Sequence, residues 1–260
     1  MGADQVRVAA ISCSHVPHQS SCIHTLLQLL AVLDTEDPLT HFVHLGDLFD
    51  AEAASVHDRD DPSHHTLLDE YHEGATLLRS IRDVLNPNCQ FTWMLGNHDA
   101  NIKQRNPKRI PKELRALADW NHVPEVSDEF RKWRQYPYRN GQDGCMELGP
   151  LVYYHGYSAA TNSDELEGIQ MAMACGGHPW RLMVRGHTHR PLPPTQIQRT
   201  RRVLLPWYAA NVGHTAFDVV PGYMERRSTA LWGRGCLLAE APLKGWRKGK
   251  SWQAKLYDLD

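Results

Sequence analysis

Five short clusters rich in His, Asp and Asn occur along this chain, and each carries side chains that can bind a metal ion. In chain order they are Cys13-Ser14-His15, Gly46-Asp47-Leu48-Phe49-Asp50, Gly96-Asn97-His98-Asp99, His155-Gly156 and Gly186-His187-Thr188-His189. Imidazole nitrogens suit zinc, iron and manganese, whereas carboxylate and amide oxygens suit harder ions. A mixed set of nitrogen and oxygen donors therefore predicts a divalent metal centre that performs hydrolysis.

The residue types within the clusters indicate that their members have different roles at the metal centre. His187 and His189 are separated by one residue, so both can project around one point from an extended or looped backbone. Gly186 allows the chain to pass close to an ion. Asn97 offers an amide oxygen to a metal but has no proton to release near neutral pH. The ionisable His98 beside it must therefore have a different role.

Each cluster follows a short apolar segment that is typical of a buried β-strand. These segments are residues 6–12, 41–45, 91–95, 151–154 and 182–184. Helical periodicity lies between them, at residues 26–33 and 67–81. After residue 200 the pattern predicts strands at 203–205, 229–232, 235–238 and 254–257. The alternation of strands and helices predicts an α/β fold, in which the chemistry lies at strand ends.

The composition limits the class of protein. A net charge of -2 gives no general attraction to nucleic acid or to an anionic membrane. No apolar run approaches the roughly 20 residues that a membrane-spanning helix requires, so we expect no membrane partner. The six cysteines form no CxxC pair, and residues 1–7 do not have the pattern of a signal peptide. We therefore expect a thiol-reduced, cytoplasmic protein.

The order and wording of the five clusters resemble the calcineurin-like metallophosphoesterase superfamily, whose pattern is DxH, GDxxD, GNH(D/E), H and GHxH. The resemblance extends from residue 6 to about residue 190. It implies a four-layer α/β/β/α sandwich of two mixed sheets, with metal ligands on loops at the strand ends. It also implies an enzyme that hydrolyses phosphoric esters with two divalent ions, drawn from Mn, Fe, Zn and Mg.

The resemblance assigns metal ligands to the matching positions. One ion would be held by Cys13, His15, Asp47 and His189, and the other by Asp47, Asn97, His155 and His187. Asp47 would bridge the two ions, which we expect to lie about 3.5–4 Å apart. A bridging water or hydroxide would be the nucleophile, because two cations lower its pKa.

The remaining motif residues would act outside the metal shell. The resemblance implies that His98 contacts the phosphoryl oxygen and protonates the leaving group as a general acid. Asp99, the next residue, would orient His98 and support its charged form. Asp50 would lie behind the ligands and support them.

Cys13 stands where the family pattern has its first Asp, and three interpretations stay open. The first is a thiolate ligand, which would favour Zn or Fe over Mg or Mn. In the second, Cys13 is no ligand and His15, Asp47 and His189 alone hold a weaker ion, with His18 either a replacement ligand or a packing residue. In the third, the chain is a degenerate, non-catalytic binding scaffold, although the intact proton donor argues against this.

Residues 100–140 form a basic and aromatic segment directly after the third cluster. We interpret it as a cap-like insertion at the rim of the site, within a single domain of residues 1–260. Basic groups attract phosphate and aromatic rings stack on bases, so the segment would suit a nucleotide or a single-stranded nucleic acid. A simpler alternative is a solvated helix face with tryptophans in the core.

The sequence thus favours a phosphodiesterase or phosphatase that acts on a small phosphate ester. A nuclease is the alternative, and its binding to nucleic acid would weaken steeply with salt. The non-catalytic scaffold is a further alternative, which would bind little metal and hydrolyse nothing.

Overall fold

The computed structural model describes residues 4–18, 20–51, 65–102, 118–200, 203–218 and 229–260. Its strands are β1 Gln5–Ile11, β2 His41–His44, β3 Gln90–Met94, β4 Arg134–Tyr136, β5 Met146–Leu148, β6 Leu151–Tyr153, β7 Leu182–Arg185, β8 Leu192–Thr200, β9 Val203–Asn211, β10 Gly235–Pro242 and β11 Gln253–Asp258. Its α-helices are α1 Cys22–Glu36, α2 Leu67–Val84, α3 Asn97–Ala100, α4 Pro124–Phe130 and α5 Ser163–Ala174.

The strands form two mixed sheets. The first has the order β11-β10-β1-β2-β3-β4, with β1 to β4 parallel and β10 antiparallel to both of its neighbours. The second has the order β5-β6-β7-β9-β8, in which β6, β7 and β9 are parallel and the outer strands are antiparallel. The parallel strands of each sheet end at one edge, so the loops that follow them are gathered there.

Alternating side chains of β1 explain why the sheets stack. Ala9 and Ile11 lie in the core under α1, α2 and α4, whereas Val8 and Ala10 lie in a second core between the two sheets. A strand that is buried on both faces is apolar along its whole length. A third, smaller core joins the outer face of the second sheet to α5. These three cores separate four layers, so the predicted α/β/β/α sandwich is confirmed.

The two helical patterns of the sequence correspond to α1 and α2. In α1, Leu26, Leu30 and Leu33 form the buried stripe. A capping box starts α2, because the Thr66 hydroxyl accepts from the Asp69 amide and the Asp69 carboxylate accepts from the Thr66 amide. Among the described helices, none is both long and apolar enough to span a membrane.

The strand predicted at 229–232 is wrong, because these residues form a turn before β10. Of the segment 100–140, residues 103–117 lie outside the described part of the chain. In its described part, Trp120 and Trp133 are buried in the helix-side core, as the simpler alternative predicts. A cap formed by this segment stays a prediction.

Candidate metal centre

The five clusters lie on the segments that follow β1, β2, β3, β6 and β7, and the third of them forms α3. Backbone hydrogen bonds join the first two loops directly: the amide of Cys13 donates to the Gly46 carbonyl at 2.9 Å, and that of His15 donates to the Asp47 carbonyl at 3.0 Å. The structure therefore brings together side chains that are up to 176 residues apart in the chain, from Cys13 to His189.

The backbone of these loops is strained at the ligand positions themselves. Five predicted ligands have φ in the left-handed region, with values of 53° at Cys13, 42° at His15, 52° at Asp47, 70° at His187 and 60° at His189. This conformation costs an L-residue roughly 1–2 kcal/mol. Such strain clusters at functional sites, where the surrounding structure enforces it.

Two glycines are required because the loops approach each other closely. A Cβ atom at Gly96 would lie 2.1 Å from Asp47 Oδ1, and one at Gly46 would lie 2.5 Å from the Gly96 nitrogen. A larger side chain at Gly96 would displace Asp47, and one at Gly46 would displace Gly96 and His155. These glycines therefore explain why the sequence has Gly directly before Asp47 and Asn97.

One group of donor atoms converges on His155. Its Nε2 lies 3.1 Å from Asp47 Oδ2, 3.2 Å from Asn97 Oδ1 and 3.2 Å from His187 Nδ1. Its Nδ1 donates to the Leu45 carbonyl at 2.6 Å, so in the neutral ring Nε2 carries a lone pair. Four lone pairs that face one another are the arrangement that a cation satisfies, and the bond to Leu45 is typical behind a metal-binding imidazole.

A second group lies on the other side of Asp47. His15 Nε2 is 3.2 Å from His189 Nε2 and 4.0 Å from Asp47 Oδ2. His15 Nδ1 lies 3.1 Å from Asp50 Oδ1, which places Asp50 behind the ligand as predicted for a supporting group. Burial lowers the pKa of both His15 and His189, so two neutral rings face each other with lone pairs that suit a cation.

Cys13 lies between the two groups. Its sulfur falls in one set with His15 and His189 and in another with Asp47 and His155, and within each set the ligand atoms are within 4.8 Å of one another. The thiol is fully buried, and burial together with Asp47 raises its pKa. It would therefore lose its proton only beside a cation, which is the behaviour of a thiolate ligand. The geometry fits that interpretation.

Cys13→Asp is expected to shift the metal preference from Zn or Fe towards Mn or Mg, because it replaces a soft sulfur by a hard oxygen donor. Cys13→Ser should weaken only the ion beside His15 and His189. The measurement is elemental analysis after loading with each metal, together with alkylation of Cys13 before and after chelation. Equal alkylation rates in both states and an unchanged preference would show that Cys13 is no ligand.

The His98 ring is hydrogen-bonded by Asp50, whereas the sequence predicts that Asp99 orients it. The backbone amide of His98 donates to Asp47 Oδ1 at 2.9 Å, and its Nδ1 donates to the Asp50 carbonyl at 2.6 Å. Burial alone would lower the pKa of His98, but the carboxylates of Asp47 and Asp50 outweigh it and raise the pKa. The ring therefore favours its protonated form, and its Nε2 is left free of the bond to Asp50.

The Asp99 carboxylate contacts backbone amides, and its predicted support of His98 stays a prediction. It accepts from the Gly96 amide at 2.9 Å and the Phe49 amide at 3.1 Å, so it joins the second and third loops. Burial and the charge of Asp47 raise the pKa of Asp99 to about 6, and the charge of Asp99 contributes to the raised pKa of His98. The hydrogen bond that fixes the His98 ring is the one that it donates to the Asp50 carbonyl.

The sequence did not predict the positioning role of three further residues, His44, Ser14 and Thr215. The Gly46 amide donates to His44 Nδ1 at 3.2 Å, so His44 Nε2 donates to Ser14 Oγ at 2.9 Å, and Ser14 lies 2.8 Å from Thr215 Oγ1. This buried chain fastens the first two loops to the segment after β9. His44 and Ser14 stand next to motifs and could have been noticed, whereas Thr215 carries no local signal.

His18 does not join either group of donor atoms. Its Nε2 lies 3.5 Å from Asp50 Oδ2, whereas His15 contacts Asp50 Oδ1. It therefore corresponds to the packing interpretation rather than to a replacement ligand.

The family pattern of calcineurin-like phosphoesterases matches residues 6–191, and the chain belongs to this family. Membership places it among metal-dependent phosphoester hydrolases at the level of the superfamily. No curated protein matches the chain. One solved crystal structure aligns over 98% of this chain and 100% of its own, with 13% identity and a TM-score of 0.39.

Proposed function

We propose that this protein is a metal-dependent hydrolase of small phosphate esters, a phosphodiesterase or phosphatase. The observation that carries this proposal is the pair of donor groups that share the Asp47 carboxylate, at 3.1 Å from His155 and 4.0 Å from His15. Two divalent ions held there would polarise the phosphoryl oxygens and lower the pKa of a water molecule.

The chain's own residues supply the rest of the chemistry. His98 lies at the edge of the centre, with its imidazole ring centroid 4.7 Å from that of His15. The hydrogen bond to Asp50 fixes the ring, and the raised pKa keeps a proton available. His98 can thus bind a phosphoryl oxygen and transfer a proton to the departing ester oxygen.

The cavity at the centre supports a small substrate. It has a volume of about 470 Å³ and is lined by both donor groups and by residues beyond the motifs, among them Arg190, Leu231 and Trp232. Pockets for small molecules are typically about 300–1,000 Å³. A net charge of -2 gives no general attraction to a nucleic acid, and Trp120 and Trp133 are buried in the core, where they cannot stack on bases.

One wall of the cavity is aromatic and another is cationic. The Trp232 ring packs edge-on against His189 at 4.4 Å between centroids, and the neighbouring Leu231 is 68% exposed. Arg190 Nη2 donates to the carbonyls of Ala159 and Ala160, and among the described residues no carboxylate pairs with its guanidinium. A phosphate ester with an apolar or aromatic substituent fits these walls.

Trp232→Ala is expected to raise KM for 4-nitrophenyl phenyl phosphate by about tenfold, since ring stacking is worth on the order of 1–3 kcal/mol. KM for 4-nitrophenyl methyl phosphate should rise less, because this ester keeps the 4-nitrophenyl ring but has a methyl group in place of the phenyl ring. Trp232→Phe is the matched control, and it should retain most of the wild-type difference in KM between the two esters.

Steady-state kinetics with both esters and several divalent metals test the proposal. No hydrolysis of any monoester or diester under any metal would contradict the proposed function. An equal rise in KM for both esters would contradict only the proposed stacking on Trp232, and not the proposed hydrolase activity. Faster cleavage of a single-stranded oligonucleotide than of either ester would favour the nuclease instead.

A further inference from the structure

A second cluster of metal-binding side chains lies away from the candidate metal centre. Cys145 precedes β5, Glu147 lies on β5, and Cys175 directly follows α5. The two sulfurs are 3.5 Å apart, and the three ligand atoms are within 4.8 Å of one another. Both cysteines belong to the core between the second sheet and α5, and neither is in a disulfide.

We propose that Cys145, Cys175 and Glu147 form a structural site for a thiophilic divalent cation, with Zn²⁺ as the ion. Two thiolates and a carboxylate are a donor set that Zn²⁺ prefers. Tetrahedral Zn²⁺ with bonds of about 2.3 Å to sulfur places two sulfurs about 3.8 Å apart. The observed separation of 3.5 Å needs only a small adjustment.

The surrounding charges fit an occupied site. Binding would release two thiol protons to solvent, and two thiolates with one carboxylate and Zn²⁺ carry a net charge of -1. Arg181 offsets this charge, because its Nη1 donates to Glu147 Oε2 at 2.6 Å and is itself buried. A hydrogen bond of this kind orients a metal-binding carboxylate. The Gln142 carbonyl accepts a hydrogen bond from the Cys145 thiol at 3.2 Å.

The cysteines are 6% and 5% exposed and the Glu147 side chain is 30% exposed, so the two thiolates would be buried and the carboxylate would lie at the surface side of the ion. The ion would join the end of α5 to the start of β5. The chain between these points includes His155, so the site would stabilise the segment that carries this residue of the metal centre. The proposal does not depend on phosphoesterase activity.

The test compares the wild-type protein with the Cys145→Ser/Cys175→Ser variant after loading with Zn²⁺ and removal of free metal. We expect the variant to bind one Zn²⁺ fewer per chain, by elemental analysis. Cys89→Ser, a change at another buried cysteine, is the matched control and should keep the full content.

A second measurement needs no variant. In the wild-type protein, Zn²⁺ should slow alkylation of Cys145 and Cys175 at least about tenfold, and a chelator should reverse this, because metal binding occupies the reactive lone pair of the thiolate. Peptide mass spectrometry separates these two cysteines from Cys13. Equal zinc content in the double variant, equal alkylation with and without zinc, or a disulfide between the two in the isolated protein would each overturn the proposal.

Discussion

Asp47→Asn is expected to remove both metal ions and to lower turnover by about 10³-fold or more. Among the residues that the structure describes, Asp47 is the carboxylate that lies within reach of both donor groups, and an amide has neither the charge nor the second oxygen to bridge two cations. Loss of several kcal/mol of charge stabilisation corresponds to this factor, since each 1.4 kcal/mol is tenfold. Elemental analysis and turnover of an aryl phosphodiester measure the two effects.

The folded structure should survive this change. Asn is of the same size, and its Oδ1 can still accept from the His98 amide as Asp47 Oδ1 does at 2.9 Å. Asp128→Asn is the matched control, because the Asp128 side chain is 88% exposed. An Asp47→Asn protein that kept two metals and near-normal turnover would contradict the assignment of Asp47 as the bridge.

His98→Ala is expected to reduce turnover by about 10²–10⁴-fold, the usual contribution of general acid–base catalysis. Its metal content should change little, because the ring is fixed by Asp50 rather than by the groups that converge on His15 and His155. Turnover measured with a poor and a good leaving group separates the roles further. The loss should be larger for the poor leaving group, which depends more on protonation.

The control for this change is His122→Ala, since the His122 side chain is 69% exposed. This variant should behave as the wild type. If His98→Ala lost metal and activity to the same extent, His98 would be a ligand and not a proton donor.

Asp99→Asn is expected to lower the thermal stability of the protein, because the Asp99 carboxylate joins the loops of Phe49 and Gly96.

The sequence predicted the parts of this molecule that have a local signal. The apolar runs before each cluster show where strands end, and the parallel order of β1, β2 and β3 then brings their loops to one edge. The pairing of the two sheets came from the resemblance to the family, because periodicity does not show which sheets face each other. The strand predicted at 229–232 is wrong although its apolar residues are typical of a strand. The chain turns there beside the cavity.

Roles that depend on long-range contacts could not be predicted. Asp99 is adjacent to His98 in the chain, but its position in the first turn of α3 points its carboxylate to backbone amides instead. Asp50, 48 residues away, contacts the ring. Trp232 enters the cavity from the segment before β10, and no spacing in the sequence connects it to His189.

Anomalous diffraction from crystals loaded with Zn²⁺ would show whether two metal ions share Asp47. We expect two peaks about 3.5–4 Å apart, one beside His15 and His189 and the other beside Asn97, His155 and His187. Both should lie within bonding distance of the Asp47 carboxylate. A single peak in this region, or no peak near Asp47, would contradict a binuclear centre.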